Sequence, residues 1–207
     1  MKQNYQLMLD QKIKELCAEK KRPTLLLHAC CAPCSSYVLE YLSEYFDITL
    51  FFYNPNISPK EEHDGRFVEL RRLRDEMGLE KTVKIIEGKY EPEKFYAIAE
   101  GLEDLPEGDA RCAKCYALRL EESARAAAEG GFDYFTTTLS ISPYKNAEWL
   151  NEIGKQKGES FGVGYLFSDF KKRNGYKRSC ELSVQYGLYR QDYCGCEFSR
   201  RERDSKR

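Results

Sequence analysis

Seven of the chain's nine cysteines fall into three close groups, and thiols at such spacings do metal and redox chemistry. His28-Ala29-Cys30-Cys31-Ala32-Pro33-Cys34 places three thiols within five residues, and Cys112-Ala113-Lys114-Cys115 adds a pair at the spacing common to soft-metal ligands. Together they suffice for a four-thiolate site. Zinc and an iron–sulfur cluster both accept such ligands, although adjacent cysteines are unusual in a tetrahedral zinc knuckle and favour the cluster. The third group, Cys194-Gly195-Cys196, is able to close a small strained disulfide, and strained bridges are labile, so it reads as a redox-active dithiol. Cys17 and Cys180 have no near partner and are assigned to packing. His28 and His63 are the only histidines, which disfavours a histidine acid–base engine; His28 either orients the thiols or is a satisfied core residue. Asp109 completes a harder metal site with Cys34 or caps the helix that follows it. The run TTTLSISPYKN, with its hydroxyls, Lys145 and Asn146, fits a phosphate or ribose site as well as an ordinary strand end.

The elements that must position these groups alternate strand and helix. Strands are expected over Thr24–Ala29, Asp47–Tyr53, Lys81–Glu87 and FDYFTTTL, with helices near Ser35–Tyr45, His63–Met77, Glu91–Gly101 and Cys112–Glu129. Such alternation implies parallel βαβ crossovers: an α/β, Rossmann-like fold with helices on both faces of the sheet. Ligands in these folds sit beyond the carboxyl ends of the strands, where Cys30, Cys31 and Cys34 follow strand one and Cys112 and Cys115 open a helix.

With 207 residues and 42% hydrophobic content the chain is expected to form one α/β domain over 1–207, its sheet and metal-binding turns within 24–150. No apolar run approaches the roughly 18 residues that span a bilayer, and no signal-peptide core is evident, so a cytoplasmic protein is expected. Cysteines in that compartment point to metals or catalysis more than to bridges. A net charge of −1 conceals a basic end: from Lys171 to Arg207 there are 11 Lys and Arg against 5 Asp and Glu, in an extension over 165–207 that carries the CGC motif. Within it FKKRNGYKR interleaves aromatic residues with cations, as single-stranded RNA contacts do, making Lys171, Lys172, Arg173, Lys177 and Arg178 candidates for phosphate binding. A zinc-stabilised RNA-binding module and a thiol or sulfur-transfer enzyme using Cys194 or Cys34 as nucleophile are the other readings of these residues.

HACCAPCSS, FFYNPNISP, ARCAKCYALRLEESA, TTTLSISPYKN and LYRQDYCGCEFS, in this order, resemble the cobalamin-independent epoxyqueuosine reductases from about Thr24 to Ser199. That resemblance implies reduction of epoxyqueuosine to queuosine at the wobble position of tRNA. It also implies a 4Fe-4S cluster on Cys30, Cys31, Cys112 and Cys115, a redox-active pair at Cys194 and Cys196, and an adjacent mononuclear iron for which Cys34 and Asp109 are the candidate ligands. Removing an epoxide oxygen takes two electrons, and a low-potential donor such as a ferredoxin is the expected source that reloads the site. One departure is His63 in HDGRF, where an aromatic residue is expected. The layout also looks like the adenine-nucleotide α-hydrolase fold of PP-loop tRNA-modifying enzymes, with HACCAPCSS standing where those have a glycine-rich phosphate turn; ATP use is therefore not expected.

Overall fold

In the computed structural model, which describes residues 3–207, five short apolar runs pair into one all-parallel sheet. They are β1 (Thr24–His28), β2 (Asp47–Phe52), β3 (Lys84–Glu87), β4 (Tyr134–Thr137) and β5 (Gly164–Tyr165), in the order β3-β2-β1-β4-β5. The helices are α1 (Tyr5–Ala18), α2 (Ala32–Leu42), α3 (Lys60–Glu76), α4 (Pro92–Ala99), α5 (Ala110–Glu129), α6 (Ala147–Phe161), α7 (Gly175–Gln185) and α8 (Glu197–Ser205). The expected α/β architecture is the observed one.

The period-two geometry of a strand explains the two covered faces. Leu25 and Leu27 of β1, with Ile48, Leu50 and Phe52 of β2, pack against Leu9 and Ile13 of α1, Val38 and Leu39 of α2 and Leu70 of α3. Leu26, Phe51 and Phe135 point the other way, onto Leu120 and Ala124 of α5 and Leu150 of α6. Burying each such side chain contributes roughly 1.5–3 kcal/mol. His28 of β1 is in register with Phe51 of β2 and Thr137 of β4, which fixes where the three strands end together.

Several boundaries differ from the sequence expectation, and the differences matter at the site. Helix α2 begins at Ala32 and not near Ser35, because Cys31 is extended and serves as its N-cap while Pro33 fits the first turn. Cys34 is therefore already helical. The sequence expectation includes no element over residues 147–161, which form α6: Asn146 Oδ1 accepts the Trp149 N–H at 3.1 Å, and Gly162 ends the helix in the left-handed region. Its Gly154 lies so close to Tyr165 that a Cβ would come within 2.2 Å of the ring.

The basic C-terminal stretch is folded onto the body. Helix α7 packs on α2, and Phe198 of α8 meets Phe95 of α4 with ring centroids 6.0 Å apart. His63, in place of the expected aromatic, occupies an aromatic niche, 4.4 Å from the Tyr90 ring and 5.0 Å from Phe52. Cys17 is exposed on α1, so the packing role expected for it is not what the fold gives it; Cys180 is half-buried. No described helix is long and apolar enough to cross a membrane.

Candidate metal and redox site

Strand order runs one way from β1 through β2 to β3 and the other way through β4 to β5, so the switch point lies between β1 and β4. Beyond the carboxyl ends of those two strands is a cavity of about 900 Å³. Its wall includes Cys30, Cys31 and Cys34 from the β1–α2 turn, Lys145 from the loop after β4, and Cys194 from the segment before α8. The three thiols after β1 have their sulfurs within 4.8 Å of one another, and Cys30 and Cys31 Sγ are 3.7 Å apart. That group is able to hold a metal ion.

Without a metal the three sulfurs share charge. Hydrogen bonds from Cys31 and Cys34 hold Cys30 well below the usual thiol range, while Cys31 is pushed up to about 12 and Cys34 well above its ordinary value by the same sharing. Cys112 packs in one buried cluster with Cys30 and Cys31, and Cys115 follows it on the first turns of α5. Burial raises both, Cys115 to about 11. All nine cysteines are free thiols. The group whose sulfurs all lie within 4.8 Å of one another comprises Cys30, Cys31 and Cys34 and does not extend to Cys112 and Cys115.

Three buried cations surround these sulfurs, and of them the sequence singles out only Lys145, as a phosphate or ribose contact. Arg119, 1% exposed and one helical turn beyond Cys115, bonds Asn54 Oδ1 at 2.6 Å. Arg66 of α3 donates to Glu62 at 2.7 Å and to the Cys194 carbonyl at 3.1 Å, leaving its buried Nη2 unpartnered. Lys145 donates to Glu107 Oε1 at 2.6 Å and to Cys194 Sγ at 3.0 Å. Burial works against the charge of Lys145, but Cys194 and Glu107 outweigh it and hold the ammonium well above its ordinary value. Thiol donors, close packing and buried positive charge together fit a thiolate-bound, anionic metal group.

His28 is a satisfied core histidine. The Thr137 hydroxyl donates to Nδ1 at 2.8 Å, Nε2–H donates to the Tyr53 carbonyl at 3.0 Å, and burial, then Arg119, lowers its pKa to about 3. Asp109 is the exposed N-cap of α5, its carboxylate accepting the Ala110 N–H at 2.6 Å, and it does not line the cavity. The acid that does is Glu107, which also accepts from Ser199 Oγ at 2.7 Å. Arg111, buried, donates to the carbonyls of Leu102, Glu103 and Leu105 and so pins the loop that carries Glu107. Lys145 is spent on Glu107 and Cys194, away from the phosphate role open to it in the sequence.

The two thiols of the CGC motif differ. Cys194 faces the cavity, whereas Cys196 is 6% exposed, packs with Cys115 and Phe198, and is pushed up to about 12 by burial and then by the charge of Cys194. Gly195 between them has φ +114°, and a Cβ there would meet Arg66 Nη1 at 2.9 Å. Gly195→Ala is therefore expected to destabilise the fold by about 1–3 kcal/mol, combining backbone strain with displacement of Arg66. Urea midpoints measure it; an unchanged midpoint contradicts the strain assigned here.

Of the five expected phosphate-binding residues, three are paired within the chain: Lys171 faces Asp169 at 2.7 Å, Arg173 meets Asp10, and Arg178 meets Glu40 at 2.7 Å. Lys172 and Lys177 are exposed with no ion pair among the described residues. None of the five lines the cavity, but Tyr176 in their midst does.

Comparison with known proteins adds a second line. The family model described as epoxyqueuosine reductase QueH matches residues 25–202. A protein of that name from Streptococcus pyogenes serotype M1 is 43% identical over 198 residues, 95% of this chain and 78% of its own length. One from Staphylococcus epidermidis is 45% identical over 200 residues, covering 95% and 84%. One from Thermotoga maritima is 38% identical over 186 residues, covering 88% and 93%.

Proposed function

The chain belongs to the epoxyqueuosine reductase QueH family, and from that premise we propose that it is a cytoplasmic oxidoreductase that reduces epoxyqueuosine to queuosine at the wobble position of tRNA. The observation that carries the reading onto this chain's own residues is the cavity at the β1/β4 switch point, walled by Cys30, Cys31, Cys34 and Cys194. Cys30, Cys31, Cys112 and Cys115 are the proposed ligands of a 4Fe-4S cluster, and Cys34 with Asp109 those of an adjacent mononuclear iron, for which Asp109 would give up its capping bond. When bound, these groups supply single electrons and a Lewis-acidic pull on the epoxide oxygen.

The remaining work falls to the chain itself. Turning an epoxide into an alkene and water consumes two electrons and two protons, which is what two thiols release on forming a disulfide; Cys194 and Cys196 are the proposed pair. Lys145 holds a proton at Nζ, 3.0 Å from Cys194 Sγ, where the chemistry needs one. Arg66 and Arg119 offset the negative charge of the sulfurs. A low-potential donor such as a ferredoxin restores the dithiol. Lys171, Lys172, Arg173, Lys177 and Arg178 are proposed to meet tRNA phosphates, the three paired ones exchanging weak surface ion pairs for RNA.

Anaerobic purification with iron and sulfide analysis, followed by incubation with tRNA containing epoxyqueuosine and nucleoside analysis, tests the reading. About four sulfides and more than four irons per chain are expected, with conversion to queuosine. Zinc without sulfide, for which the 3.7 Å separation of Cys30 and Cys31 Sγ is also suited, together with no conversion, would show a structural metal in a binding module.

A further inference from the structure

A nucleotide that enters this cavity must leave its stack, and the protein has to compensate the loss, usually with an aromatic face. Arg66 is among the residues that line the cavity, and its buried Nη2 has no hydrogen-bond partner. At the mouth stands Tyr144, in the loop after β4, its amide held by Ser142 Oγ at 3.3 Å. Tyr144 is 74% exposed, and its ring has no ring or cation partner among the described residues. Tyr176, the neighbouring aromatic on the wall, differs in having the Arg190 guanidinium 5.7 Å over its ring.

The mouth is also cationic, and its cations are not equivalent. Arg203 and Arg207 are paired with Asp192, and Lys206 with Glu202 at 2.7 Å. Arg190 alone among them has no carboxylate, bonding only the Ser179 carbonyl and Ser183 Oγ. An exposed aromatic with free faces and a cation free of carboxylates, both lining the same cavity, match the pattern by which proteins hold unpaired bases.

We propose that Tyr144 is the stacking platform for the base adjacent to the one turned into the cavity, with Arg190 on the backbone phosphate beside it. This rests on the tRNA reading above. The test is the affinity of the metal-loaded protein for tRNA carrying epoxyqueuosine, by fluorescence anisotropy across a salt series. Tyr144→Ala is expected to weaken binding about 5- to 150-fold at every salt concentration, with the salt slope and melting temperature unchanged, and Tyr144→Phe to restore affinity. Arg190→Gln is expected to reduce the salt slope by about one. If wild type binds and Tyr144→Ala binds within about twofold of it, the platform is wrong while the tRNA reading stands. If wild type itself does not bind, both fall.

Discussion

A Lys145→Met enzyme is expected to fold but to turn over at least about a hundredfold more slowly than wild type, the lower end of what a positioned proton donor contributes. The ammonium lies between Cys194 Sγ at 3.0 Å and Glu107 Oε1 at 2.6 Å, with only 7% of the side chain exposed. The substitution has a second effect, on stability. Removing one partner of a buried ion pair costs about 3–5 kcal/mol, and Glu107, 24% exposed, places this case at the lower end. The two effects separate in Lys145→Met/Glu107→Gln, which removes the stranded carboxylate: the urea midpoint should recover while the rate should not. Because the folded-state pKa of Lys145 is raised, its stabilising contribution is fully present below the unfolded lysine value of about 10.4 and is lost as pH rises through the folded value. The stability gap between wild type and Lys145→Met should therefore hold through neutral pH and narrow only in strong alkali. A double variant that regains the wild-type rate would show that Lys145 serves the fold alone.

The fold was legible because its signals are local. TLLLH and DITLFF are short apolar runs between turn signals, and the fold class follows from their alternation with helices. The grouping of Cys30, Cys31 and Cys34 was legible for the same reason, since three thiols on a strand-to-helix turn cannot be far apart. Glu107 and Arg66 were not legible. Each reaches the site through tertiary contacts, Glu107 on a loop that Arg111 pins from α5 and Arg66 from α3 across to Cys194, and no periodicity encodes such meetings. Arg119 had a usable signal, since a residue four beyond Cys115 on a helix shares its face. Lys145 showed as a cation at a strand end, but its partners, 38 and 49 residues distant, decide that it serves a thiol and a carboxylate and not a phosphate. Helix α6 is hard to read from sequence because it carries Gly154 and Gly158, which weaken a helix intrinsically but here let it approach Tyr165 and Val163 closely.

Single serine substitutions at the two CGC thiols should each reduce multiple-turnover activity to below about a hundredth of wild type, because one thiol cannot form the internal disulfide that releases two electrons. Neither should unfold the protein. Cys196 is the N-cap of α8, its sulfur accepting the Ser199 N–H at 3.4 Å, and serine caps a helix at least as well. At position 194 a serine hydroxyl still accepts from Lys145. The thiols nonetheless have different parts. Cys194 opens on the cavity, whereas Cys196 is buried, held protonated up to about 12 by burial and then by the charge of Cys194, and packed toward Cys115. In the reduced wild-type protein an alkylating agent followed by mass spectrometry should therefore label Cys194 well before Cys196. After turnover without added reductant both should be protected, and protection of either should vanish in the other's serine variant. A Cys194→Ser enzyme that kept the iron and sulfide content of wild type and sustained wild-type multiple turnover would leave the dithiol with no part in the reaction.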